Sequence, residues 1–181
     1  MKKSVVITAF IVGILSAVVL VTGWPSLLGT QKRDENVYVQ SMNEALVSFT
    51  DCADQFSDSL EKMASGKSAP SDWQITEMEN YLDRLEKVCR TIESLNAPGK
   101  YAQAQLAINH SMNEYRAAFE KCRALLDFYK SYDERFHRFK DPIKGSAKME
   151  KTERALYNEF ARAMLKATDS FRVASECFGN Q

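Results

Sequence analysis

The feature that most constrains the fold is an uncharged N-terminal run that extends from Ser4 to Gln31. Its apolar centre, residues 5–21, reads VVITAFIVGILSAVVLV, and Lys2 and Lys3 precede it. A signal-peptide core usually has about 7–15 apolar residues, whereas a membrane-spanning helix needs about 20. The run therefore predicts one N-terminal transmembrane or signal-anchor helix. The side chains that we assign to this anchor are Val5, Phe10, Leu15, Leu20 and Trp24.

The flanking lysines predict which side of the membrane the rest of the chain occupies. Lys2 and Lys3 are expected to stay in the cytoplasm, because positive charges favour that side. Two fates of the run stay open: a retained anchor with Trp24 at the interface, or cleavage after the small residues at 21–23. Residues 1–30 are thus a cytoplasmic stub with the anchor, and residues 31–181 are an exported domain. We expect a single-pass protein of the bacterial inner membrane facing the periplasm, or release into that compartment after cleavage.

Apolar residues in the body recur at steps of three and four residues, the spacing that places them on one face of an amphipathic helix. In the second predicted helix they are Ile75, Met78, Leu82, Leu85, Cys89 and Ile92, and in the last they include Leu156, Phe160 and Ala163. Clusters of Gly, Pro and Asn interrupt this pattern three times, and no segment alternates apolar and polar residues over a useful length. Short connections between long helices favour antiparallel neighbours. We therefore predict an all-α fold, an antiparallel, coiled-coil-like four-helix bundle. Its helices cover residues 34–64, 71–95, 100–139 (straight, or bent near Ser131) and 147–178.

The charged and catalytic residue types exclude several classes of function. Lys and Arg together number 24, as do Asp and Glu, so the chain lacks the basic excess of a nucleic-acid binder. Glu134 and His137 form an E-x-x-H pattern, but the other histidine, His110, has Ala107 in place of the glutamate that a di-iron site needs. The sequence has no Gly-rich phosphate loop and no G-x-S-x-G. We expect no enzyme active site, no metal and no cofactor.

Each predicted helix carries one cysteine, and an even number of cysteines in an exported domain favours disulfide bonds. With a rise of about 1.5 Å per residue, Cys52, Cys89 and Cys177 are expected at similar heights in the bundle, away from Cys122. One interpretation is a single bridge among Cys52, Cys89 and Cys177. The other is that all four are small apolar core residues, because each lies on or beside a hydrophobic stripe.

Aromatic residues are concentrated at the end of the third predicted helix, with basic residues between them. A helix buries only about half of its surface, so some of these rings are expected to be exposed and to bind a partner. The alternative is that they cap the end of the bundle. The residues of this candidate partner surface are Phe128, Tyr132, Arg135, Phe136 and Phe139.

In general form the chain resembles exported bacterial helical bundles with a single N-terminal anchor. The predicted tether, the long helices and the lack of a catalytic constellation together indicate a non-enzymatic interaction protein of the cell envelope. It is expected to present helix faces to a partner protein or to a second copy of itself. The alternative function is an exported bundle that binds a small apolar ligand or a metal in its core.

Overall fold

The protein is all-helical in its computed structural model, which describes residues 33–65, 70–137, 139 and 141–179. Four long helices make up the bundle, and a 3₁₀ turn, Gly99–Tyr101, precedes the third of them. A further helix of six residues follows the third. The α-helices are α1 (Arg33–Ser65), α2 (Asp72–Glu93), α3 (Ala102–Lys130), the short α4 (Tyr132–His137) and α5 (Pro142–Gly179).

The long helices run alternately up and down the bundle, as contacts between their side chains establish. Lys121 of α3 pairs with Glu159 of α5, and Glu114 pairs with Lys166, so the residue numbers rise along one helix as they fall along the other. The ion pairs Arg116–Glu93 and Lys130–Glu79 show that α2 is antiparallel to α3. The contacts Tyr38–Gln105 and Phe49–Tyr115 show that α1 is parallel to α3. The predicted four-helix arrangement is therefore confirmed.

The two ends of the bundle differ in which segments they bring together. At the proximal end α1 begins, α2 connects to α3, and α5 ends. At the distal end α1 ends, α2 begins, and α4 lies between α3 and α5. At about 1.5 Å per residue, α1 alone extends about 50 Å from one end to the other.

The core is the set of apolar stripes that the helical periodicity indicated, brought face to face. Phe56 of α1 meets Phe160 of α5 edge to face, with ring centroids 6.4 Å apart. All six apolar positions predicted for α2 are buried, from Ile75 to Ile92. In α5 the buried residues include Tyr157 and Met164, whereas Leu156 and Ala163, which periodicity favoured, only pack against the core from its edge. Large apolar side chains therefore fill the interior along the described helices.

Two helix ends depart furthest from the sequence-based boundaries. The third helix bends as one alternative predicted: α3 stops at Lys130, and the Ser131 hydroxyl donates to the carbonyl of Asp127. The last helix begins at Pro142, five residues before the predicted start. Its first turn is capped by Asp141, whose Oδ1 accepts hydrogen bonds from the backbone N–H groups of Ile143 and Lys144. Proline suits this position because the first helical N–H has no intrahelical partner.

The predicted anchor lies outside the described residues. Val5, Phe10, Leu15, Leu20 and Trp24 all precede Arg33, where the description begins. None of the described helices combines the length and the apolar content that a membrane span requires.

Candidate partner-binding surface at the distal end

The aromatic cluster at the distal end is built on Phe128, which is itself buried in the last turns of α3. Its ring meets the rings of Tyr129 and Tyr132 edge to face, with centroid distances of 5.8 and 5.7 Å. Such aromatic pairs contribute about 0.5–1.5 kcal/mol beyond simple area burial. Phe128 therefore supports the surface from beneath, and Tyr132, half-buried, lies at its edge.

A cation covers the outer side of this cluster. The Arg135 guanidinium lies 5.8 Å from the centroid of the Phe128 ring, and its Nε donates to the Ser131 hydroxyl at 2.7 Å. Arg135 itself is exposed, so its remaining N–H groups face solvent. Phe136 belongs to the same short helix, and its side chain is outside the described part of the structure. The distal end thus presents a guanidinium group that is already held in place.

Phe139 closes the other side of the distal end by packing against the first turn of α5. A Cβ built on Gly145 would lie 2.9 Å from both Cβ and Cγ of Phe139, so only glycine permits this contact. The Lys148 ammonium lies 5.6 Å from the centroid of the Phe139 ring. Phe139 is half-buried by these neighbours and acts mainly as a cap. Of the five residues predicted for a partner surface, Arg135 is the one whose exposed side chain the structure describes.

Two exposed apolar side chains at the same end were not identified from the sequence. Trp73 in the first turn of α2 is 70% exposed, and Ile143 in the first turn of α5 is 83% exposed. Their positions in the sequence could have indicated them, because each is the second residue of a helix. The helix of Trp73 begins after a capping box at Ser71, and the helix of Ile143 begins at Pro142. The first turns of α2 and α5 both lie at the distal end, the end at which Arg135 is also exposed.

The layer beneath the surface holds protonated groups. Tyr129 donates its hydroxyl to Oε1 of Glu153 at 2.8 Å, and burial together with this carboxylate raises the pKa of Tyr129. Burial raises the pKa of Tyr157 and of the Cys122 thiol to about 12. A reactive cysteine needs a depressed pKa and some exposure. Cys122 has the opposite properties and is not poised as a nucleophile.

The four cysteines are free thiols, three of them buried and Cys177 half-exposed. Phe56 and Phe160 are in contact and so mark the same height on the antiparallel helices α1 and α5. Cys52 lies four residues before Phe56 and Cys177 lies seventeen after Phe160, both in the same direction along the bundle. At about 1.5 Å per residue, the two cysteines therefore differ in height by about 20 Å. A disulfide needs Cα atoms within about 7 Å, so the predicted common height of Cys52 and Cys177 is wrong. The error arose from carrying the third helix straight past Ser131, which placed the last helix too high. Cys52 and Cys89 are not joined in the structure, where Sγ of Cys52 donates to the carbonyl of Tyr81 at 3.8 Å. A bridge between them is the sequence-based alternative that a count of free thiols tests.

The E-x-x-H residues Glu134 and His137 are both exposed at the distal end. Within the part of the chain that the structure describes, no group of three or more His, Cys, Asp or Glu side chains is arranged to hold a metal ion. No protein-family model, curated protein or solved structure matches this chain.

Proposed function

We propose that this chain is a non-enzymatic, membrane-tethered interaction protein of a bacterial cell envelope, and that its distal end binds a partner protein. The observation that carries the proposal is the exposure of Trp73 and Ile143 at the end that also presents Arg135. Tryptophan and arginine are the residue types that most often dominate binding energy at protein interfaces. A partner with an apolar patch beside a carboxylate would match this combination.

The polarity of the bundle fits such a role. The N-terminal apolar run precedes α1 directly in the sequence, and α1 begins at the proximal end. With α1 extending about 50 Å, the distal end would stand well clear of a membrane that held the run. In this proposal the inner membrane anchors one end, the periplasm surrounds the domain, and the partner binds at the other end.

The test is co-purification of the full-length protein from its native membrane, quantified by mass spectrometry against two variants. The distal variant Arg135→Glu/Ile143→Ser is expected to lose one or more specific envelope proteins. The control Leu106→Ser changes another exposed apolar residue, on α3 at the proximal end, and is expected to retain them. Equal recovery in the two variants would contradict the proposal.

A further inference from the structure

The outward face of α1 carries a row of exposed carboxylates. Asp51, Asp54, Asp58 and Glu61 follow one another at steps of three and four residues and are all exposed. None of the four makes an ion pair or hydrogen bond with another described residue, and no Lys or Arg occurs in residues 34–61. Burial and the charges of Asp58 and Asp51 raise the pKa of Asp54. The neighbouring carboxylates therefore repel the charge of Asp54.

The neighbouring helix α5 carries the opposite charge on its outward face. Arg154, Arg162 and Arg172 are exposed there, and their described contacts are weak ones within their own helix. Arg154 pairs with Glu150 and Arg172 with Glu176, each pair separated by one helical turn and open to solvent. Exposed pairs of this kind contribute only about 0.3–0.5 kcal/mol, so they exchange partners readily. The arginines of α5 are thus available to an external carboxylate.

These opposite charges stand at matching heights. The Phe56–Phe160 contact fixes the height of α1 against α5. Asp54 precedes Phe56 by two residues and Arg162 follows Phe160 by two, so they share a height in these antiparallel helices. By the same count, Glu44 matches Arg172 and Glu61 matches Arg154 to within one residue, or about 1.5 Å.

Exposed apolar side chains lie on the same two helices. Of seven large apolar residues exposed among the described residues, five belong to α1 or α5. Val37 and Val47 lie on α1, and Leu165, Val173 and Ile143 on α5. Two helices about 50 Å long and 20 Å wide offer about 1,000 Å², close to the roughly 800 Å² per partner of a standard interface.

We propose that the α1–α5 face is a homodimer interface, in which α1 of each copy packs against α5 of the other about a two-fold axis parallel to the bundle. The charges select this symmetry. With an axis parallel to the bundle, the carboxylates of α1 in one copy face the arginines of α5 in the other at equal heights. The dimer contains two such contacts, one on each side of the axis. An axis perpendicular to the bundle and facing α1 would oppose carboxylates to carboxylates, which repels. The parallel axis also leaves both N-termini at the same end, as two anchors in one membrane require.

The interface is tested by charge reversal in the full-length chain in detergent micelles, with molar mass measured by light scattering. Asp54→Arg/Glu61→Arg and Arg154→Glu/Arg162→Glu are each expected to weaken self-association by about 100-fold. An equimolar mixture of the two variants is expected to recover the dimer, because both contacts then join opposite charges. Asp127→Arg, an exposed acidic position on α3, is the control and is expected to dimerise like the wild type.

Three results of these measurements would contradict the proposed dimer interface. A wild-type chain that stays monomeric at all concentrations would overturn the proposal, as would a mixture that fails to recover the dimer while each variant keeps its helical circular dichroism. A dimer lost only in the Asp127→Arg control would place the interface elsewhere. Loss of the distal partner in the preceding experiment would leave these results unchanged, because none of the residues substituted in this experiment belongs to the distal surface.

Discussion

The Tyr38 hydroxyl donates a 2.6 Å hydrogen bond to Oε1 of Gln105, and both side chains are buried. The amide of Gln105 in turn donates to the carbonyl of Ile92 at 3.0 Å and to Oδ1 of Asn109 at 2.7 Å. The ring of Tyr38 also lies against that of Tyr101, with centroids 5.3 Å apart. One buried network thus joins α1, the end of α2 and the start of α3 at the proximal end, where α1 begins.

Removing the Tyr38 hydroxyl is expected to weaken the whole bundle. Tyr38→Phe leaves the Gln105 acceptor buried without this donor, which should lower the free energy of unfolding by about 1–3 kcal/mol. Urea denaturation followed by circular dichroism measures the change. Gln103→Ala, at an exposed position on the same helix, is the control and should stay within about 0.5 kcal/mol of wild type. Equal losses for the two variants would show that the network adds nothing.

Gly145→Ala is expected to destabilise the distal end, although alanine normally favours a helix by about 1 kcal/mol over glycine. The added Cβ would meet Cβ and Cγ of Phe139 at 2.9 Å, and overpacking of this kind costs about 1–3 kcal/mol. We expect a net loss of about 1 kcal/mol in urea denaturation.

Two controls separate this contact from a general effect of alanine. Gly99→Ala meets no heavy atom within 4 Å and should be neutral or slightly stabilising. In a Phe139→Gly background, Gly145→Ala should become stabilising. A loss of stability that persisted in that background would mean that Phe139 is not the cause.

The thiols are expected to differ in accessibility. Cys177 is half-exposed and should react with a thiol reagent in the folded protein, whereas Cys52, Cys89 and Cys122 should react only on unfolding. In denaturant without reductant, we expect four thiols per chain, identified by mass spectrometry of the labelled peptides. Two thiols would instead demonstrate a disulfide bond and revive the pairing that the sequence suggested.

Stability is expected to fall as the pH rises above about 9, and Cys122 contributes to this fall. Burial raises the pKa of its thiol from 9.0 to about 12, so between these values the unfolded chain loses a proton that the folded chain keeps. The folded state then binds more protons, and stability declines with pH by about 1.4 kcal/mol per unit for each such thiol. Tyr115, whose pKa burial raises from 10.0 to about 12, adds to the decline above pH 10.

The measurement is the free energy of unfolding at a series of pH values from 7 to about 10, in the range that this linkage covers. Cys122→Ala lowers stability at every pH by creating a small cavity, but its decline above pH 9 should be shallower than that of wild type. Cys177→Ala, at the half-exposed position, is the control. Parallel pH profiles for wild type and Cys122→Ala would contradict the assignment.

The helices were predictable because their periodicity is strong, while details set by neighbours were not. The seam of α2 was identified in full, since Ile75 to Ile92 follow a regular heptad spacing. In α5, Tyr157 and Met164 are buried instead of the adjacent Leu156 and Ala163. Either set of residues fits the apolar spacing of a helix, and the position of the facing helix determines which set is buried. The start at Pro142 was missed because Pro and Gly together favour a loop by local propensity.

The distal surface was only partly predictable for a related reason. A cluster of aromatics marks the end of α3, but composition alone does not tell a buried ring such as Phe128 from an exposed one. Trp73 and Ile143 were missed because their exposure depends on the direction in which a first helical turn leaves the bundle. The carboxylates around Asp54 recur at helical spacing in the sequence, but the arginines at matching heights became apparent only when α1 and α5 were compared in the structure.

The most direct test of a partner-binding distal end is a photo-crosslinking amino acid placed at position 73 of the full-length protein in its native membrane. We predict a discrete adduct with one envelope protein, lost on Arg135→Glu, while the same crosslinker at the exposed proximal position 106 gives no such adduct. The same adduct from both positions, or none from position 73, would contradict the account.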